Sequence, residues 1–284
     1  MTCLVPDNVL IDGKRIAHGV HGNGTPVVLV HGTPFFSYIW RNVLPQLVDA
    51  GYRVYLYDLL GFGHSERPVD LSVDTSVSAQ LPLLLGLLDH WGLESSHVVA
   101  HDIGGAVAQQ LAVYHPGRIR TLTLIDPVSF DSWPSQRTRE QMAAGLETLI
   151  AADADTHRAH FREWLLSASA RPEQLEAGPL DVYLDRICGP VGQASLFQHQ
   201  IRHYDPQHTM KIAERLPELA GMPVQLLWGE ADNWQVTDWA YRLHDAIPGS
   251  RLHLIPQCGH LAPEDQPTLV AERVVEHLRR PSAN

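Results

Sequence analysis

Val98-Val99-Ala100-His101-Asp102-Ile103-Gly104-Gly105 is the stretch on which the fold turns. The β-branched run Val98 to Ala100 reads as the end of a buried strand. After Gly104 and Gly105, residues Ala106 to Tyr114 read as a helix. A strand that turns this sharply into a helix leaves no room for side chains beside the turn. That accounts for the small residues Ala100 and Gly104, two before and two after Asp102. The layout is a nucleophile elbow with Asp where G-x-S-x-G chains carry Ser. The plainer reading is that Asp102 only caps the helix, since Asp is a favoured N-cap.

Working outward, other strand–turn units repeat the theme. Val9 to Ile11 and Arg15 to Val20 flank Asp12-Gly13, a hairpin signal. Pro26 to Val30 is a continuous apolar run, as in a strand covered on both faces, and it ends in His31-Gly32-Thr33-Pro34. An amphipathic helix is expected over Tyr38 to Ala50, and a strand over Tyr52 to Tyr57. Gly61-Phe62-Gly63 lacks the third glycine of a dinucleotide fingerprint and reads as a tight turn. Thr75 to Trp91 reads as a helix, and Thr121 to Ile125 as a strand ending at Asp126-Pro127. Such alternation predicts an α/β fold, a mostly parallel central sheet with helices on both faces. Right-handed crossovers then bring the strand-end loops to one edge.

From about 131 to 216 the strand signal disappears. Helix-prone segments, Thr138 to Ala152, His157 to Ala168, Leu180 to Ile187 and Gln193 to His203, punctuated by Pro134, Pro172, Pro190 and Pro206, replace it. Residues 131–216 are therefore expected to form a helical cap on a core built from 1–130 and 217–284. Sheet structure resumes with Pro223 to Trp228, then a helix over Asp238 to Ile247, a strand over Leu252 to Ile255 and a closing helix over Pro267 to Arg279.

The chain has 284 residues and a net charge of −11, so it presents no basic face to nucleic acid or to an anionic membrane. Its three cysteines are odd in number and unpatterned, which points to a reducing, cytoplasmic setting without a disulfide framework. Its longest apolar stretch, Leu81 to Leu88, is too short to span a bilayer. His199 and His203 stand i, i+4 on a predicted helix, but no third ligand accompanies them. No metal or other cofactor is expected, and a monomer or homodimer is.

Asp102, Asp232 and His260 follow one another in that order, each just past a predicted strand. With His31-Gly32-Thr33-Pro34, Ser37-Tyr38-Ile39-Trp40-Arg41, Gly61-Phe62-Gly63-His64-Ser65, Trp228-Gly229-Glu230-Ala231-Asp232 and Cys258-Gly259-His260, the chain resembles the α/β-hydrolases over nearly its whole length. It is most similar to their aspartate-nucleophile branch, which contains epoxide hydrolases and haloalkane dehalogenases. The resemblance implies Asp102 as nucleophile, His260 as base and Asp232 as the acid that orients it. Asp126 is the alternative acid, because some haloalkane dehalogenases carry theirs after that strand; otherwise it is a strand-end turn residue.

The chemistry agrees. An aspartate is ionised at neutral pH without help, and a helix N-terminus favours the anion. His260 is then needed only to deprotonate water. A carboxylate attacking an ester carbonyl would make a mixed anhydride, with little gain. Attack on an sp³ carbon bearing a strained oxygen or a halide makes a stable alkyl ester. When water attacks that ester, the oxyanion needs two donors, and the N–H groups of Thr33 and Ile103 are the expected pair. Cys258 lies on the base loop rather than at the elbow and reads as a packing residue.

The resemblance to epoxide hydrolases implies cap tyrosines as proton donors, here Tyr183 and Tyr204 unless they only pack. The resemblance to dehalogenases implies a halide-binding Trp or Asn beside the nucleophile, where this chain has Ile103 and Thr33. Trp133 or Trp164 is left as an indole donor. The pocket is expected to draw on His31, Pro34, Phe35 and His101, on Trp133 and Trp164 from the insertion, and on Trp234 and Leu261 beside the acid and base. Three functions follow: opening of a small apolar epoxide to a diol with water, dehalogenation through the same Asp102 ester, or ligand binding on this fold without turnover.

Overall fold

The computed structural model describes residues 3–280. An eight-stranded sheet runs through it. Its strands are β1 (Asp7–Ile11), β2 (Lys14–His21), β3 (Thr25–Val30), β4 (Tyr52–Tyr57), β5 (Ser96–His101), β6 (Ile119–Ile125), β7 (Val224–Gly229) and β8 (Arg251–Ile255). They lie in the order β1-β2-β4-β3-β5-β6-β7-β8. The β1–β2 and β2–β4 pairs are antiparallel, and β4 to β8 pair parallel through β3, β5, β6 and β7. The hairpin between β1 and β2 turns at Asp12 and Gly13, both with positive φ (49° and 73°).

The strand order reverses between β3 and β5. The chain leaves β3 towards β4 on one side and returns to place β5 on the other. Beyond the carboxyl ends of strands at such a point a crevice opens, where ligands bind in open α/β sheets. The loop after β3 carries Thr33 and the loop after β5 carries Asp102, so the topology itself makes them neighbours.

Both sheet faces are covered. Val28, Val30, Val98 and Ala100 pack with α2 (Val77–His90), α3 (Ile103–Tyr114) and later α11 (Thr237–Ala246). The alternate residues Val27, Leu29 and Val99 pack on the other face with α1 (Leu44–Asp49) and α13 (Pro267–Leu278). This is why β3 and β5 read as unbroken apolar runs. Each such Val or Leu, wholly buried, contributes roughly 1.5–3 kcal/mol.

Between β6 and β7 the described chain is helical and holds no strand: α4 (Gln136–Ala144), α5 (Glu147–Ile150), α6 (Ala154–Ser167), α7 (Pro172–Ala177), α8 (Leu180–Ile187), α9 (Gly189–Ser195) and α10 (Gln207–Ala213). The short α12 (Ala262–Asp265) follows β8.

Three expected helices are interrupted. The expected helix from Tyr38 to Ala50 splits into a 3₁₀ turn at Ser37–Trp40 and α1. Pro45 supplies no N–H for the carbonyl of Arg41, so a continuous helix would lose a bond there. The helix expected over Thr138 to Ala152 breaks at Gly145, whose φ is 94°. The helix expected over Gln193 to His203 instead continues α9 into a π-helical turn at Leu196–Gln200 and a 3₁₀ turn at Ile201–His203.

Candidate active site

Asp102 sits at φ 53° and ψ −123°, a backbone state that L residues rarely adopt. Such strain costs about 1–3 kcal/mol and persists where neighbours over-determine it. Here its N–H donates to Ile125 O at 3.2 Å, and its carbonyl accepts from Gly105 and Val128 N–H at 2.9 and 3.2 Å. Neighbouring glycines make room. A β-carbon on Gly104 would collide with the His31 carbonyl, and one on Gly32 with the Asp102 side chain. The Asp102 carboxylate makes no capping bond to α3, so the plainer reading of this residue fails.

The carboxylate instead faces two partners. Its Oδ1 accepts from Thr33 N–H at 2.6 Å. Its Oδ2 lies 3.4 Å from His260 Nε2. Ile103 is the first residue of α3, so its N–H has no intrahelical acceptor. On the other side of His260, Nδ1 bonds Asp232 Oδ2 at 2.9 Å. Asp232 is itself held by the N–H groups of Trp234 and Gln235, at 2.7 and 2.9 Å from Oδ1. Burial disfavours a charged His260, but the charges and hydrogen bonds of Asp232 and Asp102 outweigh it. Its pKa lies well above the ordinary imidazole value.

Of the two candidate acids, Asp232 is the one bonded to His260. Asp126 is fully buried and accepts from Gly229 N–H at 2.8 Å. Burial and the nearby Asp232 charge push its carboxyl well above the usual carboxylate range. It ties β6 to β7 through the Gly229 bond and through its own N–H to Leu227 O at 3.0 Å.

A cavity of about 140 Å³ opens beside Asp102. Thr33, Ile103, Val128, Trp133, Pro134, Ser135, Thr138, Trp164, Tyr204, Asn233, Trp234 and Gln235 line it with Asp102. For scale, an apolar cavity of about 150 Å³ accepts benzene. Trp164 and Trp234 stack at 4.4 Å, and Trp234 lies 5.1 Å from the His260 ring. The indole N–H groups of Trp133 and Trp234 are already donated, to Thr209 Oγ1 at 2.9 Å and Ser167 Oγ at 3.1 Å.

The two tyrosines part company. Tyr204 lines the cavity, and its hydroxyl is hydrogen-bonded to Thr33 Oγ1. Burial holds its pKa above the ordinary phenol value despite the Thr33 bond, and the Asp102 charge adds to the rise. Tyr183 does not line the cavity. It is buried against Phe35, edge-on at 4.9 Å, and its hydroxyl donates to Glu264, which is ion-paired with Arg41. The expectation that Tyr183 faces the nucleophile is corrected: the buried Glu264 needs its donors, and Tyr183 supplies one.

Five expected pocket residues also lie elsewhere. His31 is fully buried and its Nε2 accepts from Leu59 N–H at 2.9 Å, anchoring the loop after β4. His101 donates from Nε2 to the His260 carbonyl at 2.8 Å. Burial and His260 lower its pKa to about 4, so it stays neutral. Pro34, Phe35 and Leu261 are buried in packing around the site. Trp133, Trp164 and Trp234 do line the cavity. His199 engages both ring nitrogens, with Ser195 Oγ and Pro68 O. Cys258 is buried, with its thiol pKa pushed up by burial.

Sequence reasoning missed Val128, Pro134, Ser135, Thr138, Asn233 and Gln235. Two of these had a signal. Asp232 turns its own loop back through the Trp234 and Gln235 N–H groups, which directs Asn233 and Gln235 at the cavity.

The family model of the alpha/beta hydrolase fold matches residues 25–267, and the chain belongs to that family. Among its relatives is a 2-hydroxy-6-oxononadienedioate/2-hydroxy-6-oxononatrienedioate hydrolase of Burkholderia vietnamiensis, 27% identical over 96% of this chain and 94% of that one. Another is a cis-3-alkyl-4-alkyloxetan-2-one decarboxylase of Shewanella oneidensis, 25% identical over 94% of this chain and 85% of that one. A crystal structure of an alpha/beta hydrolase fold protein from Burkholderia ambifaria superimposes with a TM-score of 0.86, at 33% identity over 96% and 97% of the two chains.

Proposed function

We propose that this protein hydrolyses a small epoxide to a vicinal diol through an ester on Asp102. The observation that carries the reading is the division of labour on one carboxylate: Thr33 N–H holds Oδ1 at 2.6 Å while Oδ2 faces His260 at 3.4 Å. Oδ2 attacks the ring carbon, the C–O bond breaks, and the alkoxide takes the Tyr204 proton. His260 then removes a proton from water, which attacks Asp102 Cγ. The negative charge that develops on Oδ1 forms where Thr33 N–H already points, with Ile103 N–H as the second donor. Collapse breaks the ester C–O bond at Cγ, and the second proton of the water passes to the departing oxygen, which releases the diol and restores the Asp102 carboxylate. The proton taken by His260 balances the one Tyr204 gave up, so solvent exchange restores both. The helical segment between β6 and β7 acts in this scheme as the cap that brings Tyr204, Trp133 and Trp164 over the nucleophile.

Other observations favour this reading over its rivals. The oxetan-2-one named for the Shewanella relative is also a strained ring with an sp³ C–O bond. The dienedioate named for the Burkholderia vietnamiensis relative carries two carboxylates, whereas no Lys or Arg lines this cavity. A leaving halide would want free N–H donors, and two of the three cavity indoles are committed. A protein that only binds ligand has no use for the His260–Asp232 pair.

The test is intact-protein mass spectrometry of His260→Gln, which should form the ester and fail to release it. Incubation with a panel of epoxides should add the full epoxide mass, mapped by peptide digestion to Asp102. Addition of an alkyl group alone from a haloalkane, with halide released, would instead establish dehalogenation and direct attention to Trp164. If the variant acquires no adduct from either panel and the wild type turns over neither, the covalent reading falls and ligand binding takes its place.

A further inference from the structure

Thr33 touches both working groups of the cavity. Its backbone N–H donates to Asp102 Oδ1 at 2.6 Å, and its Oγ1 is hydrogen-bonded to the Tyr204 hydroxyl. A third contact fixes the direction of that second bond. Thr33 Oγ1 lies 3.4 Å from Gln200 Oε1, and Gln200 Nε2 donates to Gly61 O at 3.3 Å. With Nε2 on a carbonyl, Oε1 is the end of the amide turned to Thr33. An amide oxygen only accepts, and a threonine has one hydroxyl proton. That proton therefore goes to Gln200, and Oγ1 accepts from Tyr204. Gln200 is buried and ends the π-helical turn Leu196–Gln200 shortly before Tyr204, so one short segment places both the acid and the group that aims Thr33. Burial raises the Tyr204 pKa, the Thr33 bond draws it down, and the Asp102 charge adds a smaller rise. Tyr183 is outside the cavity, so no second phenol lines it among the described residues.

Once Tyr204 has protonated the alkoxide, its oxygen is a buried anion that needs a donor. Hydrogen bonds to a charged oxygen are roughly twice as strong as neutral ones. The long, neutral contact to Gln200 is readily given up for one. We propose that the Thr33 side chain is a positioning residue for the acid: at rest its Oγ1 holds the Tyr204 hydroxyl as acceptor, and on proton transfer its O–H turns from Gln200 Oε1 to the phenolate oxygen. This rests on the epoxide reading and deepens it, giving Thr33 two duties, its side chain in ester formation and its N–H in hydrolysis. The Tyr204 O–H bond breaks and the substrate oxygen gains that proton. The Thr33 O–H bond stays intact and only rotates.

The test has two arms. In the first, tetrafluorotyrosine is placed at position 204, where its more acidic phenol is titrated by ultraviolet absorbance. Thr33→Val should raise that phenol pKa by about one unit, and Thr33→Ser should keep it in place. Gln200→Met, which frees the hydroxyl from its acceptor, should lower it or leave it in place. An unchanged pKa in Thr33→Val, or a rise in Gln200→Met, overturns the proposal, since a simple loss of polarity would raise both. In the second arm, ester formation is timed in the His260→Gln background. With 1,2-epoxypropane, Thr33→Val should react about tenfold more slowly and Thr33→Ser should restore the rate. The epoxide 3,3,3-trifluoro-1,2-epoxypropane opens to a less basic alkoxide that depends less on the acid, so its loss should be smaller. An equal loss on both epoxides would mark a displaced Asp102 and overturn the proposal too. If no ester forms from either epoxide, the epoxide reading fails, and the phenol titration still decides whether Thr33 serves Tyr204.

Discussion

At the scale of the residue, the two tyrosines separate chemistry from packing. Both were candidates because a phenol suits the protonation of an alkoxide. Only Tyr204 lines the cavity, while Tyr183 sits between Phe35 and the Arg41–Glu264 pair. Tyr204→Phe should slow ester formation by about 10²-fold or more, the usual worth of a positioned acid. Tyr183→Phe should instead leave the rate of ester formation near wild type and cost about 1–3 kcal/mol of stability, because it leaves the buried Glu264 short of a donor. Stopped-flow burst rates and urea unfolding of the two variants check both statements. A Tyr183→Phe burst as slow as that of Tyr204→Phe would reverse the assignment.

Among the elements, the β5–α3 elbow and the loop after β3 fit each other through their glycines. An alanine methyl at position 32 would overlap Asp102 Cβ and Oδ1. Moving a nucleophile by about 1 Å costs on the order of 10²-fold. Gly32→Ala, placed in the His260→Gln background, should therefore acquire the epoxide adduct at least about 10²-fold more slowly while keeping its circular dichroism. Adduct formation at the original rate would show that the loop yields without disturbing Asp102. The strands were the most legible elements: β4 matches its expected span, and β3, β5, β6, β7 and β8 lie within two residues of theirs. Two-sided burial writes itself as an apolar run, so their identity is local. The helix breaks were less legible. Pro45 and Gly145 stood in the sequence, but periodicity across them hid the interruption. Nothing local marked the π-helical turn at Leu196–Gln200, which precedes Tyr204 in the chain.

Over the whole molecule, buried histidines govern the response to acid. Burial holds His97 and His101 at about 4 and lowers His31, His157, His199 and His277. These rings are neutral in the fold but take up protons near pH 6.5 when unfolded. Their contribution to stability is complete above about pH 6.5 and is lost as pH falls towards 4. His260 and Asp126 are raised and have the opposite sign: they favour the fold at low pH and lose that contribution as pH rises through their folded values. The lowered histidines outnumber them, so the melting temperature should fall steadily from pH 6.5 to 4. Differential scanning calorimetry across that range checks this, and a flat melting temperature would refute it.

The sequence by itself determined the α/β class, the strand–loop positions of Asp102, Asp232 and His260, and membership of the hydrolase family that the comparison bore out. Those are matters of local pattern and chain order, which a linear text carries. Only the tertiary structure decided which acid meets His260, which tyrosine faces the cavity, and that His31 and His101 support rather than line it. Each of these depends on which way a side chain points once distant segments pack. Period and spacing place a residue on an element, but burial and hydrogen-bond satisfaction across the fold decide what it touches.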